Sequence, residues 1–208
     1  MKRRNLIVGF CLLLFCISCK SVVLKLAGIK RPQIESGESI INFLKEFKLD
    51  TNNVFCLDTS LYNQLCSHPF KPGWKPGFRP VQIRCYDKHG NPVMQWVSCE
   101  GSLDQLKTFD SVPPKNAGGL DTSLTLASDL ARFFTLDGKP AGIRPDEGYD
   151  YYFLVFFAKY FPRMTRKSFR EVSDYAQRHP ELNMTVYKIN TDVMDFWGDS
   201  LKLDVEMH

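Results

Sequence analysis

Apolar residues recur along this chain with two different spacings. Ile40, Ile41, Phe43, Leu44 and Phe47 fall three or four apart behind Ser36, which predicts an amphipathic helix over residues 38–48. Asn53 to Leu57 is a short apolar strand closed by Asp58-Thr59-Ser60, and Leu61 to Cys66 predicts a short helix. Val81, Ile83 and Cys85 then alternate with Gln82, Arg84 and Tyr86. The turn residues Lys88-His89-Gly90-Asn91 lead to a second strand from Val93 to Val97, so this segment predicts a β-hairpin. Gly101-Ser102 opens a helix bearing Leu103, Leu106 and Phe109. Leu124, Leu126, Leu130, Phe133 and Phe134 predict another, ending near Asp137-Gly138. The unbroken run YYFLVFFA at 151–158 reads as a strand buried on both faces, as in a parallel sheet. A helix over 163–178 carrying Phe169, Val172 and Ala176 follows, then a strand from Met184 to Ile189. Strand, helix and strand around 151–189 form a βαβ unit, and the class is α/β.

The segments between these elements divide the chain. Residues 19–37 read as a tether. VPPKNAGG at 112–119 is an internal break, so a domain over 38–208 has a hairpin-and-helix part (38–111) and a βαβ part (120–208). The loop HPFKPGWKPGFRP holds Pro69, Pro72, Pro76 and Pro80. It repeats itself, Lys71-Pro72-Gly73-Trp74 being followed by Lys75-Pro76-Gly77-Phe78, two successive turns that display aromatic side chains.

Composition adds limits rather than a reaction. The 208 residues are 44% hydrophobic, 24% charged and 13% aromatic, which excludes wholesale disorder. There are 27 basic and 23 acidic residues, and Lys2, Arg3 and Arg4 account for three of the basic ones. The balance left over argues against a nucleic-acid partner. His68, His89, His179 and His208 are scattered without metal-ligand spacing, and no Gly-rich phosphate loop or G-x-S-x-G occurs, so neither a metal nor a cofactor is expected. Arg163, Arg166, Lys167 and Arg170 read as the wet face of their helix. Asp146-Glu147, Asp192 and Asp195 read as loop and cap residues.

The opening MKRRNLIVGFCLLLFCISCK has a basic start and an apolar stretch from Leu6 to Ile17, with Ser18 before Cys19. That stretch is short for a bilayer-spanning helix and reads as an export signal. It resembles a bacterial lipoprotein signal peptide over residues 1–18, departing from it in having Cys16 where Leu is usual. The resemblance implies acylation of Cys19, the lipid bilayer as one partner, and a place in the cell envelope, at the outer membrane or the periplasmic side of the inner membrane. Cys56, Cys66, Cys85 and Cys99 remain in the domain. Export permits disulfides, and four cysteines allow three pairings that sequence does not choose between.

Two stretches resemble parts of the thioredoxin superfamily. Phe156-Phe157-Ala158-Lys159-Tyr160-Phe161-Pro162-Arg163-Met164, the helix, and Val186 to Asp192 are similar to the family's buried strand, F-W-A-x-W-C-G-P-C, helix and strand ending in N-x-D. Arg79-Pro80-Val81-Gln82-Ile83, the turn Asp87 to Asn91, the second strand and Gly101 to Leu106 are similar to the family's cis-proline strand, hairpin turn and closing helix. The resemblance implies a thioredoxin-like mixed sheet flanked by helices, in a rearranged or circularly permuted order, with Pro80 as the cis-proline. Phe161 and Met164 stand where the family has its two cysteines, and thiol–disulfide exchange needs both an attacking and a resolving thiol. The expectation is a redox-inactive binding or scaffold module for an unidentified envelope protein, its contact surface made by Trp74, Phe78, Arg79 and Pro80 beside Phe161, Pro162 and Arg163. The rival is an envelope thiol oxidoreductase or peroxiredoxin-like enzyme that uses Cys56, Cys66, Cys85 or Cys99.

Overall fold

The computed structural model describes residues 28–60, 62, 79–97, 111–114, 122–145 and 148–197. In chain order the elements are β1 (Ile34–Glu35), α1 (Gly37–Glu46), β2 (Val54–Leu57), β3 (Gln82–Asp87), β4 (Pro92–Val97), α2 (Leu126–Leu130), β5 (Phe133–Phe134), β6 (Tyr151–Phe157), α3 (Pro162–Arg178), β7 (Met184–Asn190) and β8 (Val193–Met194). A 3₁₀ turn, Asp195–Trp197, follows. Six strands form one mixed sheet in the order β4-β3-β6-β7-β2-β5, and β1 pairs with β8 in a separate two-stranded ribbon. The class is α/β, a mixed sheet flanked by helices.

The central strand is the apolar run seen in the sequence. Tyr152 to Phe157 of β6 are all buried. β6 runs parallel to β7 and antiparallel to β3, so it is parallel to one neighbour only. Its alternating side chains serve two layers. On one face Phe157 stacks on Phe43 of α1 (6.3 Å between ring centroids) and meets Phe169 of α3 (5.5 Å), while Phe153 meets Tyr175 of α3 (5.8 Å). On the other face Phe156 packs edge-on to Phe133 of β5 (6.1 Å).

An ionic tie fastens α2 to that second face. Arg84 of β3 donates through Nη1 to both carboxylate oxygens of Asp129 (2.7 and 2.8 Å), and the Tyr86 hydroxyl donates to Oδ2 at 2.5 Å. The Arg84 guanidinium also lies 4.9 Å from the centroid of the Phe156 ring. At the other flank Lys188, on β7, is 4% exposed and donates to Asp50 Oδ1 (2.9 Å) and to the Asn52 carbonyl (2.8 Å), which pins the loop from α1 into β2.

The hairpin forms where expected. β3 and β4 pair antiparallel, and the Asp87 carboxylate accepts the N–H groups of His89 and Asn91 in the turn, both at 2.9 Å. The helix expected over 124–134 does not. α2 ends at Leu130, and Phe133–Phe134 becomes a strand antiparallel to β2, with Leu57 opposite Phe133. Leu126, Leu130 and Phe133 keep a helical spacing by coincidence. The residues that end it, Thr135 to Lys139, form a tight turn with Gly138 at φ +83° and Thr135 N–H donating to the Lys139 carbonyl at 2.8 Å. The helices expected over 61–66 and 101–109 fall largely or wholly outside the described residues.

The expected tether is shorter than residues 19–37. Gly28 onward is laid on the domain: the Lys30 N–H donates to the Tyr160 carbonyl at 2.8 Å, and β1 pairs in parallel with β8. This strap contains few apolar residues, so periodicity did not mark it; its attachment is through backbone hydrogen bonds and the side chain of Glu35.

Candidate functional site

The C-terminal ends of β6 and β7 are where the chain gathers its polar groups. After Phe157 the backbone turns through Ala158, Lys159 and Tyr160 into α3. Thr165, in the first turns of that helix, donates its hydroxyl to the Ala158 carbonyl at 2.9 Å. β7 ends at Asn190, and the Thr191 N–H donates to the Phe157 carbonyl at 2.9 Å. The Thr191 hydroxyl lies 2.9 Å from the Pro80 carbonyl and 3.0 Å from that of Phe157. The start of the hairpin is thereby held at the same end of the sheet as the α3 N terminus.

Asp192 and Lys159 interlock at this point. The Lys159 N–H donates to Asp192 Oδ2 at 2.8 Å. Asp192 is 2% exposed, and its carboxyl pKa is raised to about 7. Burial is the main cause and the nearby Glu35 charge adds to it, against the lowering effect of the Lys159 and Tyr160 N–H groups and the Lys159 ammonium. The Lys159 side chain reaches the other way, with Nζ 2.5 Å from Glu35 Oε2 on β1 and 2.5 Å from Ser39 Oγ on α1. Ser39 in turn donates to Glu35 Oε2 at 2.6 Å. Four segments of the chain, β1, α1 and the turns after β6 and β7, converge on these groups.

A groove of about 420 Å³ opens beside them, lined by Ser36, Glu38, Ser39, Asn42, Phe43 and Glu46 of α1 and its cap, with Lys30 and Lys159. A serine hydroxyl within hydrogen-bond reach of a lysine suggests nucleophilic chemistry, but a lysine base must be neutral to take the proton. Here the lysine Nζ is instead engaged by the Glu35 carboxylate, itself 7% exposed, at 2.5 Å. The arrangement suits binding and orientation rather than attack.

The residues expected at the contact surface divide into two groups. Phe161 is half-buried and caps α3 without a side-chain hydrogen bond, Pro162 occupies the first helical position, and Arg163 is exposed. Met164 packs against the core, so an aromatic and a thioether do stand at the first turn of α3. Arg79 and Pro80 are half-buried at the same sheet end. The Arg79–Pro80 peptide is trans, the cis bond among the described residues being Val112–Pro113, so Pro80 does not have the cis geometry implied for it. Its carbonyl is instead taken up by Thr191 as the chain feeds into β3. Trp74, Phe78 and Cys19 lie outside the described residues.

Two of the four domain cysteines are described, and both are buried free thiols. Burial, with a smaller contribution from Asp137, pushes the Cys56 thiol up to about 12. Cys85, wholly enclosed on β3, is raised well above the ordinary thiol value by burial, with Asp87 adding to it. Three strand spacings separate β2 from β3, roughly 14 Å, so these two cannot bond to each other. Cys66 and Cys99 lie outside the described residues.

Sequence reasoning missed Glu35, Ser39, Lys159 and Asp192 as a group. Glu35 sat within the expected tether, Ser39 within an amphipathic helix, and Asp192 among loop residues. No family model, curated protein or solved structure matches this chain.

Proposed function

We propose that this chain is a cell-envelope lipoprotein, anchored through an acylated Cys19, whose thioredoxin-like domain binds a partner protein and carries out no disulfide exchange. One observation carries the reading. Phe161 at the N-cap and Met164 in the first turn of α3 stand where the resemblance would require thiols, and the described cysteines, Cys56 and Cys85, are buried with raised pKa values. A thiolate is the reactive species in exchange, and neither described thiol can supply one near neutral pH. The thioredoxin-like part of the reading is supported by the way its two halves meet. The βαβ unit β6-α3-β7 and the hairpin β3-β4 are neighbours in one sheet, joined by the antiparallel pairing of β6 with β3. The partner would meet the sheet end at Arg79, Pro80 and Phe161 to Arg163, with Trp74 and Phe78 as its aromatic anchors.

Titrating the thiols of folded protein and assaying insulin reduction tests the redox half. The expected result is slow, denaturant-dependent labelling of Cys56 and Cys85 and no reductase activity. A single fast-reacting thiol at Cys66 or Cys99, with turnover, would establish the enzyme instead. For the binding half, Trp74→Ala with Phe78→Ala should weaken capture of the partner from solubilised envelopes at an almost unchanged melting temperature. A large stability loss would mean that the two rings pack onto the domain.

A further inference from the structure

The strap is fastened where two buried carboxyl groups meet. Glu35 is on β1, and Asp192 stands one residue before β8, the strand with which β1 pairs. Ile34 lies opposite Val193 and Glu35 opposite Met194. Glu35 is 7% exposed and Asp192 2%. Lys159 serves both, with Nζ on Glu35 Oε2 and its backbone N–H on Asp192 Oδ2. Of the charges acting on Asp192, Glu35 disfavours its ionised form and the Lys159 side chain favours it, as does the Tyr160 N–H. From α1 comes the uncharged Ser39 hydroxyl, bonded to Glu35. The other charged residues of the elements packed here are Lys30 on the strap, Glu38 on α1, Arg79 before β3, Arg163 on α3 and Asp195 after β8.

The rest of the strap is lightly held. β1 is two residues long, and ahead of it the strap is tied by the Lys30 N–H to the Tyr160 carbonyl at 2.8 Å. Gly28 rests on the stem of Arg163, where a Cβ would come within 2.7 Å of Cδ. None of residues 28–34 contributes to the hydrophobic core, and Ile34 is 69% exposed. The strap thus lies over Tyr160 and Arg163, at the edge of the surface that the partner would meet.

We propose that the strap is a pH-gated cover for the tip of α3, closed while Asp192 is protonated and lifted when Asp192 ionises. Lifting β1 carries the Glu35 charge away from Asp192 and lets water reach the carboxylate, so it relieves both effects that oppose ionisation. The closed strap then binds the Asp192 proton more tightly than the open one, and by linkage a rise in pH favours opening. Because the carboxyl is raised to about 7 in the closed state, the change falls across neutral pH. The device rests on the partner-surface reading for its use, and on the carboxyl pair alone for its operation.

Hydrogen exchange of the full chain at pH 6 and pH 8, read by peptide mass and corrected for the intrinsic rate at each pH, tests this without a partner. Protection over residues 28–35 should be lower than that of β6 at both pH values and insensitive to low urea. It is expected to fall about tenfold from pH 6 to pH 8. Asp192→Asn should hold the strap's protection constant between the two. If that variant does not fold, Glu35→Gln, which removes the repelling charge, should shrink the fall. Equal protection of the parent at the two pH values would overturn the proposal. So would a fall that persists undiminished in Asp192→Asn, or strap protection that matches β6 and drops with urea as β6 does, since only global unfolding would then free the strap. The partner reading fails separately, when capture from solubilised envelopes is the same for the parent and for Trp74→Ala with Phe78→Ala, and that outcome leaves the exchange result untouched.

Discussion

Lys159 and Glu35 stand 124 residues apart in the chain and 2.5 Å apart in space. The pair latches β1, and with it the strap that crosses the tip of α3, to the turn after β6. Ser39 completes the latch from α1, so three separate segments depend on one ammonium group.

Removing that group should loosen the strap before it unfolds the domain. Lys159→Met leaves Glu35 buried without its charge partner, and a loss of about 1–3 kcal/mol is expected, below the range for fully buried pairs because Lys159 is partly exposed. Urea unfolding gives the size of the loss. Limited proteolysis should show new cleavage within residues 28–35 while the sheet survives, and pairing Lys159→Met with Glu35→Gln should recover part of the stability.

Asp192 makes stability depend on pH in an unusual direction for a carboxyl. Its folded pKa, about 7, is raised above the ordinary 3.8. The folded state therefore holds a proton that the unfolded state releases, and this contribution is complete below pH about 4 and lost as pH rises to about 7. Across that window the difference corresponds to roughly 4 kcal/mol as an order of magnitude. Asp192→Asn, which keeps an acceptor for the Lys159 N–H, should be more stable than the parent at pH 8 and similar to it at pH 4. Denaturation midpoints at the two pH values decide it, and a parent curve that stayed flat between them would refute the assignment.

Asp129→Ala should be among the most damaging single changes. It strands the Arg84 guanidinium and the Tyr86 hydroxyl in a buried site, and about 3–5 kcal/mol is expected. Asp129→Asn should lose less because an acceptor remains. Thermal unfolding of both variants orders them.

At Gly138 the backbone has φ +83°, and an added Cβ would meet the Phe196 ring at 2.7 Å. Gly138→Ala should lower stability by about 1–2 kcal/mol through the strained backbone, with a further loss from displacing Phe196. A melting temperature equal to that of the parent would show that the turn after β5 tolerates an ordinary residue.

Much of the framework was legible because apolar side chains mark the segments that must leave water, although β3 buries Gln82 and Tyr86 as well as the apolar residues alternating with them. Phe153 to Phe157, Ile40 to Leu44 and the alternation from Gln82 to Tyr86 each announced their element by the side chains they had to hide. Phe133 and Phe134 misled because two short elements in series kept a helical spacing, although Asp137-Gly138 is also a hairpin turn signal. The polar site had no period to betray it. Glu35, Ser39, Lys159 and Asp192 are each ordinary where they stand in the chain.

From the residues alone came the α/β class, the central strand, the hairpin and the placement of Phe161 and Met164 at a helix tip, since apolar side chains state locally which face must leave water. The strand order, the docking of the strap and the latch between Lys159 and Glu35 belong to the tertiary structure. Ion pairs and parallel pairings join distant segments, and their free energy exists only once folding has brought those segments together and removed the water between them.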